Sequence, residues 1–155
     1  MSLELVVGCM FSGKSTEIVR MVDRFKTIDA KYLLVKPQID NRYSMTMVQT
    51  HTNQQRTCEV RRQLLPLFSN QTYIDAEYII IEEAQFFSDL EPFVLKAVDE
   101  DKKNVIVIGL DGDSNRCNFG QIHKLLPVCD NIRKLKFVYK LREELERIED
   151  SLFDD

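Results

Sequence analysis

The stretch of the chain whose spacing most clearly predicts chemistry lies close to the N-terminus. Residues Gly8–Ser15 read G-C-M-F-S-G-K-S and match the pattern G-x-x-x-x-G-K-[ST], which wraps the phosphates of a nucleotide. Its glycines let the backbone curl so that successive N–H groups point at phosphate oxygens. Lys14 is expected to reach the β- and γ-phosphates, and the Ser15 hydroxyl to bind Mg²⁺. The stretch therefore predicts an ATP site with contacts from Gly8, Cys9, Met10, Phe11, Ser12, Gly13, Lys14 and Ser15.

A pair of adjacent carboxylates further along the chain could act on the bound nucleotide. Glu82 and Glu83 directly follow the apolar run Tyr78–Ile81. Carboxylates that follow a buried strand hold the Mg²⁺ of many phosphate-loop proteins. We expect Glu82 to face the metal, partly through water, and Glu83 to take a proton from a hydroxyl as a general base. The alternative is an ordinary solvated strand end.

The elements that must position these residues are visible as short apolar runs separated by helical patterns. The runs are nearly continuous, which is typical of strands buried on both faces of a parallel sheet: Leu3–Val7, Tyr32–Val35, Tyr78–Ile81 and Val105–Ile108. Two intervening segments place apolar residues on one helical stripe: Ile18, Val19, Val22 and Phe25 within Thr16–Phe25, and Phe93, Val94, Ala97 and Val98 within Leu90–Val98. The alternation predicts an α/β fold, with a P-loop NTPase-like parallel sheet flanked by helices.

Two regions fit this alternation less clearly. Residues 43–76 contain a polar stretch around Ser44–Arg56 and a predicted short helix near Arg61–Phe68. Residues 140–155 are strongly helix-forming, with one apolar stripe made of Leu141, Leu145, Ile148 and Leu152. We therefore predict a phosphate-loop domain over residues 1–139 and an acidic amphipathic C-terminal helix over residues 140–155. That helix is either docked on its own domain or a seam for self-association.

The distribution of charge narrows the possible partners. The chain has 155 residues, with 21 basic and 25 acidic side chains. Residues 140–155 hold 3 of the basic and 7 of the acidic ones, which leaves 18 of each sign in residues 1–139. A neutral domain of this kind has no basic stripe for a nucleic acid polymer, so small molecules are the expected partners.

Cysteine spacing and hydropathy indicate the compartment. The four cysteines, Cys9, Cys58, Cys117 and Cys129, include no C-x-x-C pair, so neither a disulfide framework nor a structural zinc site is expected. No apolar run approaches the ~20 residues that span a bilayer. The first residues lack the basic and apolar regions of a secretory signal. We expect a cytoplasmic protein that does not bind membranes.

The order of these motifs resembles that of the type II thymidine kinases, a compact family of animals, many bacteria and large DNA viruses. The matching blocks cover roughly residues 3–138: Gly8–Ser15 with its Met-Phe-Ser centre, Lys36, Asp40–Tyr43, Thr50-His51, Glu83–Phe87, Leu110–Asp113 through Arg116, Phe119-Gly120 and Lys134-Leu135. The resemblance implies transfer of the γ-phosphoryl group of ATP to the 5′-hydroxyl of thymidine or another deoxynucleoside, giving dTMP and ADP. It also implies a role in nucleoside salvage for DNA synthesis, and a homotetramer.

The resemblance further implies roles for single residues. Glu83 corresponds to the base that takes the 5′-hydroxyl proton, and Arg42 is the candidate clamp on the phosphates beside Lys14. Asp40 corresponds to a position near the Mg²⁺. The implied ATP contacts extend to Asp40, Asn41, Arg42, Glu82, Glu83, Ala84 and Gln85. The implied nucleoside pocket, whose apolar walls suit a flat pyrimidine, contains Met10, Phe86, Phe87, Leu110, Ser114 and Phe119.

The chain departs from the family's pattern at three places. Glu82 stands where the family has an aspartate, and Ser114 stands where it has a phenylalanine against which the base packs. Tyr139 and Arg142 stand at the first cysteine pair of the family's zinc-bearing lobe, whose lasso loop covers the nucleoside, so no zinc is expected. Two other hypotheses stay open: a nucleotide-binding homologue without thymidine turnover, in a regulatory or assembly role, and a P-loop ATPase or helicase-like motor.

Overall fold

One parallel β-sheet forms the centre of the protein, seen in a computed structural model that describes residues 1–8, 13–38, 47–49, 55–110 and 121–135. Its strands are β1 (Ser2–Gly8), β2 (Tyr32–Pro37), β5 (Glu59–Arg61), β6 (Tyr78–Ile81), β7 (Asn104–Gly109) and β8 (Asn131–Leu135). Over these residues the sheet has six strands in the order β5-β2-β6-β7-β1-β8. Every neighbouring pair is parallel. The predicted α/β class, with a parallel sheet flanked by helices, is confirmed.

The apolar runs form strands because the sheet is covered on both faces. Ile79, Ile80 and Ile81 of β6 are all fully buried. Since successive residues of a strand point to opposite faces, Ile79 and Ile81 belong to one core cluster and Ile80 to the other. All four predicted runs become strands, and β1, β2 and β7 extend one or two residues beyond the predicted bounds.

One long helix covers one face of the sheet. Helix α1 (Lys14–Thr27) buries the predicted stripe and, in addition, Met21. Its apolar side chains pack on β-strand residues such as Val6, Ile80 and Ile108. The helix that follows the phosphate loop is therefore fixed against the centre of the sheet.

Short helices cover the opposite face. They are α2 (Gln71–Asp75), α3 (Leu90–Leu95) and two 3₁₀ helices, Leu65–Ser69 and Ile122–Val128. A π-helical turn, Lys96–Glu100, continues α3, so the predicted helical segment Leu90–Val98 is confirmed with its buried stripe. Phe93 is fully buried and stacks on Phe68, with ring centroids 5.0 Å apart.

The prediction of a short helix near Arg61–Phe68 was wrong in its first half. Arg61 ends strand β5, which pairs in parallel with β2, and the 3₁₀ helix Leu65–Ser69 begins four residues later. Proline near the start of that helix suits its first turn, where no N–H is needed. Within the polar stretch, β3 (Met47–Gln49) and β4 (Gln55–Thr57) pair antiparallel as a small hairpin. The predicted helix over residues 140–155 lies outside the described residues.

None of the helices in the part of the chain that the structure describes is long and apolar enough to cross a membrane.

Candidate functional site

The phosphate loop and the carboxylate pair leave the sheet at the same edge. Strands β1, β6 and β7 are parallel and adjacent in the order β6-β7-β1, so Gly8, Ile81 and Gly109 all end their strands at what we call the carboxyl edge. In the register, Val7 pairs with Gly109 and Ile81 with Val107. Crevices at the carboxyl edge of open parallel sheets are where α/β proteins bind ligands. The two sequence motifs are thus brought to one site.

Gly13 forms the junction between the phosphate loop and α1. Its φ of +91° is left-handed, although a Cβ added there would meet nothing within 4 Å. Glycine is therefore required by the backbone conformation and not by lack of space. The Glu17 N–H donates to the Gly13 carbonyl at 3.0 Å and closes the first turn of the helix. Lys14 and Ser15 then occupy the helix N-terminus, where partial positive charge favours phosphate.

The Lys14 ammonium lies close to the end of β1. Its Nζ donates to the Gly8 carbonyl at 3.2 Å, so the two ends of the loop are joined by a side chain that the loop pattern assigns to phosphate. Residues 9–12, between those ends, lie outside the described residues.

The carboxylate pair lies on a sharp turn that follows β6. The Glu82 N–H donates to the Val35 carbonyl at 2.9 Å and prolongs the ladder between β6 and β2. Glu83 has φ 49° and ψ 44°, a left-handed conformation that costs a non-glycine residue about 1 kcal/mol or more. A 3₁₀ helix, Ala84–Phe86, follows at once, and the Phe86 N–H donates to the Glu83 carbonyl at 3.1 Å. Both carboxylate residues are partly exposed, as groups that meet a ligand must be.

Gln85 joins this turn to the next strand. The side chain is buried, with 8% of the residue exposed, and its Oε1 accepts a hydrogen bond from the Leu110 N–H at 3.2 Å. A Cβ at Gly109 would lie 2.4 Å from that Oε1 and 2.5 Å from Cδ1 of Ile122. A side chain at position 109 would therefore require the Gln85 amide and the end of the Ile122 side chain to move.

The two aromatic candidates for the nucleoside pocket have different environments. Phe86 is 43% exposed, whereas Phe87 is 1% exposed and packs in the core cluster beneath the carboxyl edge. Leu110 is partly buried directly after β7. Their contacts with a nucleoside stay predictions.

Several predicted site residues lie outside the described residues. They are Cys9, Met10, Phe11, Ser12, Asp40, Asn41, Arg42, Ser114 and Phe119. The described candidates, which the fold brings to the carboxyl edge, are Gly8, Gly13, Lys14, Ser15, Glu82, Glu83, Ala84, Gln85, Phe86, Phe87 and Leu110.

Sequence reasoning missed an ion network that fixes the start of α1. Arg133 of β8 donates to Glu4 of β1 at 2.8 Å and to Glu17 in the first turn of α1 at 2.6 Å. Arg20 pairs with the same Glu17 carboxylate. Burial is the largest influence on the Glu17 carboxyl and raises its pKa, but the hydrogen bonds and charges of Arg20 and Arg133 together outweigh it and lower the pKa. No sequence motif relates these residues, because 116 positions separate Glu17 from Arg133.

Comparison with known proteins agrees with this architecture. A parallel sheet with a phosphate-loop sequence after β1 and carboxylates after β6, on the far side of β7, is typical of P-loop nucleotide-binding proteins. The family profile described as "Thymidine kinase" matches residues 1–142. The chain therefore belongs to the thymidine kinase family, as the order of its motifs predicted.

Individual relatives support the assignment over most of the chain. The thymidine kinase of Amsacta moorei entomopoxvirus is 38% identical over 148 residues, covering 90% of this chain and 81% of the viral protein. The cytosolic thymidine kinase of Gallus gallus is 39% identical over 136 residues, covering 88% and 59%. The thymidine kinase of Oryza sativa subsp. japonica is 37% identical over 137 residues, covering 86% and 51%. The chain thus spans about half the length of the rice relative.

Proposed function

We propose that the chain transfers the γ-phosphoryl group of ATP to the 5′-hydroxyl of thymidine or a related deoxynucleoside, giving the monophosphate and ADP. The observation that carries the proposal is the placement of Lys14 and Glu83 at one carboxyl edge, on either side of β7, in a chain of the thymidine kinase family. A phosphate-binding group and a carboxylate base in one crevice are the two requirements for moving a phosphoryl group to a hydroxyl.

In the proposed mechanism the chain mainly positions groups and supplies charge. Glu83 accepts the 5′-hydroxyl proton as the oxygen attacks the γ-phosphorus. Lys14 and the N-terminus of α1 stabilise the charge on the transferring group. Arg42 is proposed as a second cation on the phosphates. Gly8, Gly13 and the loop between them supply backbone N–H groups.

Mg²⁺ is proposed as the companion of ATP. Among the described residues, no group of three or more His, Cys, Asp or Glu side chains could hold a metal ion. Mg²⁺ in nucleotide sites keeps several waters and is bound through one or two carboxylates plus substrate phosphates. Ser15 and Glu82 fit this donor set, and Asp40 is proposed to join them through water. When bound, the ion would neutralise negative charge on the phosphates.

The nucleoside is proposed to lie against the turn after β6. Phe86 is the exposed aromatic there, and Leu110 follows the neighbouring strand. Phe87 supports this wall from the core, since almost none of it is exposed. Met10, Ser114 and Phe119 are proposed to complete the pocket. Apolar and aromatic walls suit a pyrimidine ring.

The test is a substrate panel. The folded protein is incubated with γ-labelled ATP, Mg²⁺ and each deoxynucleoside in turn, and labelled monophosphate is measured. The proposal predicts product with thymidine or with another deoxynucleoside. Nucleotide binding without product from any of them would replace it with the regulatory or assembly role, and DNA-stimulated ATP hydrolysis would favour a motor.

Cellular context and assembly follow as proposals from the family. We propose a cytoplasmic enzyme of nucleoside salvage that forms a homotetramer, because the relatives of Gallus gallus and Homo sapiens are named cytosolic thymidine kinases and the sequence resembles a tetrameric family. Light scattering on the full chain and on a chain that ends at residue 139 measures the mass of the assembly. A smaller mass for the shorter chain indicates that residues 140–155 take part in association.

A further inference from the structure

Gln85 lies in the site with a side chain that is directed into the protein. Gln85 and Asp89 are the buried polar or charged residues among those the structure describes, each 8% exposed. The Gln85 Oε1 accepts a hydrogen bond from the Leu110 N–H at 3.2 Å. This bond joins the turn that follows β6 to the end of β7. Buried amides that bond to backbone fix the segments they join, because leaving the backbone partner unpaired is costly.

The close approach of Gly109 makes this junction tight. A Cβ at that position would lie 2.4 Å from the Gln85 Oε1 and 3.4 Å from the Ala84 nitrogen. The end of β7 therefore packs against both the side chain of Gln85 and the backbone next to it. A junction with contacts of this kind leaves little freedom for one segment to move relative to the other.

Gln85 belongs to the same short turn as Glu83. The Phe86 N–H bonds to the Glu83 carbonyl and the Phe87 N–H to the Ala84 carbonyl, both at 3.1 Å, and Ala84 is fully buried. These hydrogen bonds span Gln85 and link its turn to Glu83, so a contact that fixes Gln85 also restrains Glu83.

We propose that Gln85 is a positioning residue, which sets the candidate base Glu83 against the backbone at Leu110 and hence against the nucleoside side of the crevice. The positioning role rests on the proposed function. It places Gln85 at the junction between the turn after β6 and the end of β7, whereas the family resemblance implies a direct contact with ATP. The Gln85 Oε1 acts through the Leu110 N–H, and no bond to ATP is required of it.

Two substitutions separate these roles. Gln85→Met keeps the length of the side chain and removes the acceptor, whereas Gln85→Glu keeps an acceptor oxygen. The positioning role predicts that Gln85→Met lowers kcat roughly 10- to 100-fold, the loss that follows a displacement of about 1 Å, with KM for ATP changed less than about twofold. Gln85→Glu is expected to retain more of its kcat than Gln85→Met. A large rise in KM for ATP with kcat unchanged would overturn the proposal in favour of a direct contact.

A matched control removes the same kind of bond elsewhere. Asn70 Oδ1 accepts from the Thr72 N–H at 2.8 Å at the start of α2. Asn70→Ala is expected to lower the melting temperature without changing kcat. An equal loss of kcat in Asn70→Ala and Gln85→Met would show that general destabilisation is the cause, which also overturns the proposal.

Hydrogen exchange tests the geometry without any activity. The Leu110 amide is expected to exchange roughly five- to tenfold faster in Gln85→Met, the factor that one hydrogen bond provides. Amides within β7 should exchange as slowly as in the unmodified chain. The Leu110 amide of Gln85→Glu should also stay slow, because an acceptor oxygen remains. If the unmodified chain phosphorylates no nucleoside, the proposed function fails and this measurement alone decides the inference. An unchanged Leu110 rate in Gln85→Met contradicts it.

Discussion

At the scale of the residue, the left-handed backbone of Glu83 is the feature most relevant to function. Among the described residues, the non-glycine residues with positive φ are Asp29 at 57°, Glu83 at 49° and Lys102 at 58°. Asp29 and Lys102 lie just beyond the ends of helical segments, where left-handed residues commonly end a helix. Glu83 instead follows strand β6 at the carboxyl edge of the sheet. A strained conformation at that place, on a carboxylate at the same carboxyl edge as Lys14, supports a functional reason for the strain.

The contact between Gly109 and Gln85 gives a prediction for stability. Gly109→Ala should lower the free energy of unfolding by about 2 kcal/mol, because its Cβ overlaps Gln85 Oε1 and Ile122 Cδ1. Gln85→Ala should relieve part of that cost, so the double variant is less destabilised than the sum of the singles by about 1 kcal/mol. Urea unfolding of the four proteins measures the coupling.

Gly13→Ala is the control for this cycle. Its cost arises from the left-handed backbone, since nothing lies within 4 Å of the added Cβ. Combined with Gln85→Ala it should be additive to within about 0.5 kcal/mol. Additivity of Gly109→Ala with Gln85→Ala would mean that the close contact does not exist.

At the scale of the element, an ion network links the start of α1 to strands β1 and β8. Arg133 binds carboxylates of β1 and of the first turn of α1, so β8 is connected to the strand and the helix that flank the phosphate loop. The negative charge of Glu17, in the first helical turn, is also attracted to the positive N-terminal end of the helix dipole, which stabilises the helix. The network thereby stabilises the junction that carries Lys14 and Ser15.

Glu17 should make the stability of this junction depend on pH. Its carboxyl pKa is lowered in the folded protein, so its contribution is present above the unfolded value of 4.5 and is lost as the pH falls through the lower folded value. We expect Glu17→Gln to cost about 1 kcal/mol at pH 7. The difference from the unmodified protein should shrink below pH 4.5.

An exposed carboxylate in a long ion pair provides the comparison. Glu100 is 70% exposed and lies 3.8 Å from Lys96, so Glu100→Gln should change stability by less than about 0.5 kcal/mol at either pH. Urea unfolding at pH 7 and near pH 3.5 measures all three proteins. A Glu17→Gln deficit that is as large in acid as at neutrality would show that the Glu17 charge is not the cause.

At the scale of the whole molecule, the sequence predicts four of the six parallel-sheet strands that the structure describes. β1, β2, β6 and β7 read as continuous apolar runs because they are central and buried on both faces. β8 was missed because it is an edge strand, where Ile132 is 45% exposed and charged residues are accepted. β5 was missed because it pairs with one neighbour over three residues, too short a length for any periodicity to appear.

The candidate site was also predictable only in part from the sequence. The phosphate loop and the pair Glu82–Glu83 could be found from spacing, since short-range patterns encode them. The buried Gln85 and its bond to Leu110 could not, because the contact joins residues 25 positions apart. Which residues meet across parallel strands depends on the strand order, and short-range spacing does not encode that order.

Replacement of Glu83 tests the central claim for the whole molecule most directly. The rate of monophosphate formation at saturating ATP, Mg²⁺ and the preferred deoxynucleoside should fall by about 10²- to 10⁴-fold in Glu83→Gln, with ATP binding and the melting temperature retained. Glu77→Gln, an exposed carboxylate at the opposite end of the same strand, should leave the rate unchanged. A Glu83→Gln protein that forms the monophosphate as fast as the unmodified chain would contradict the account.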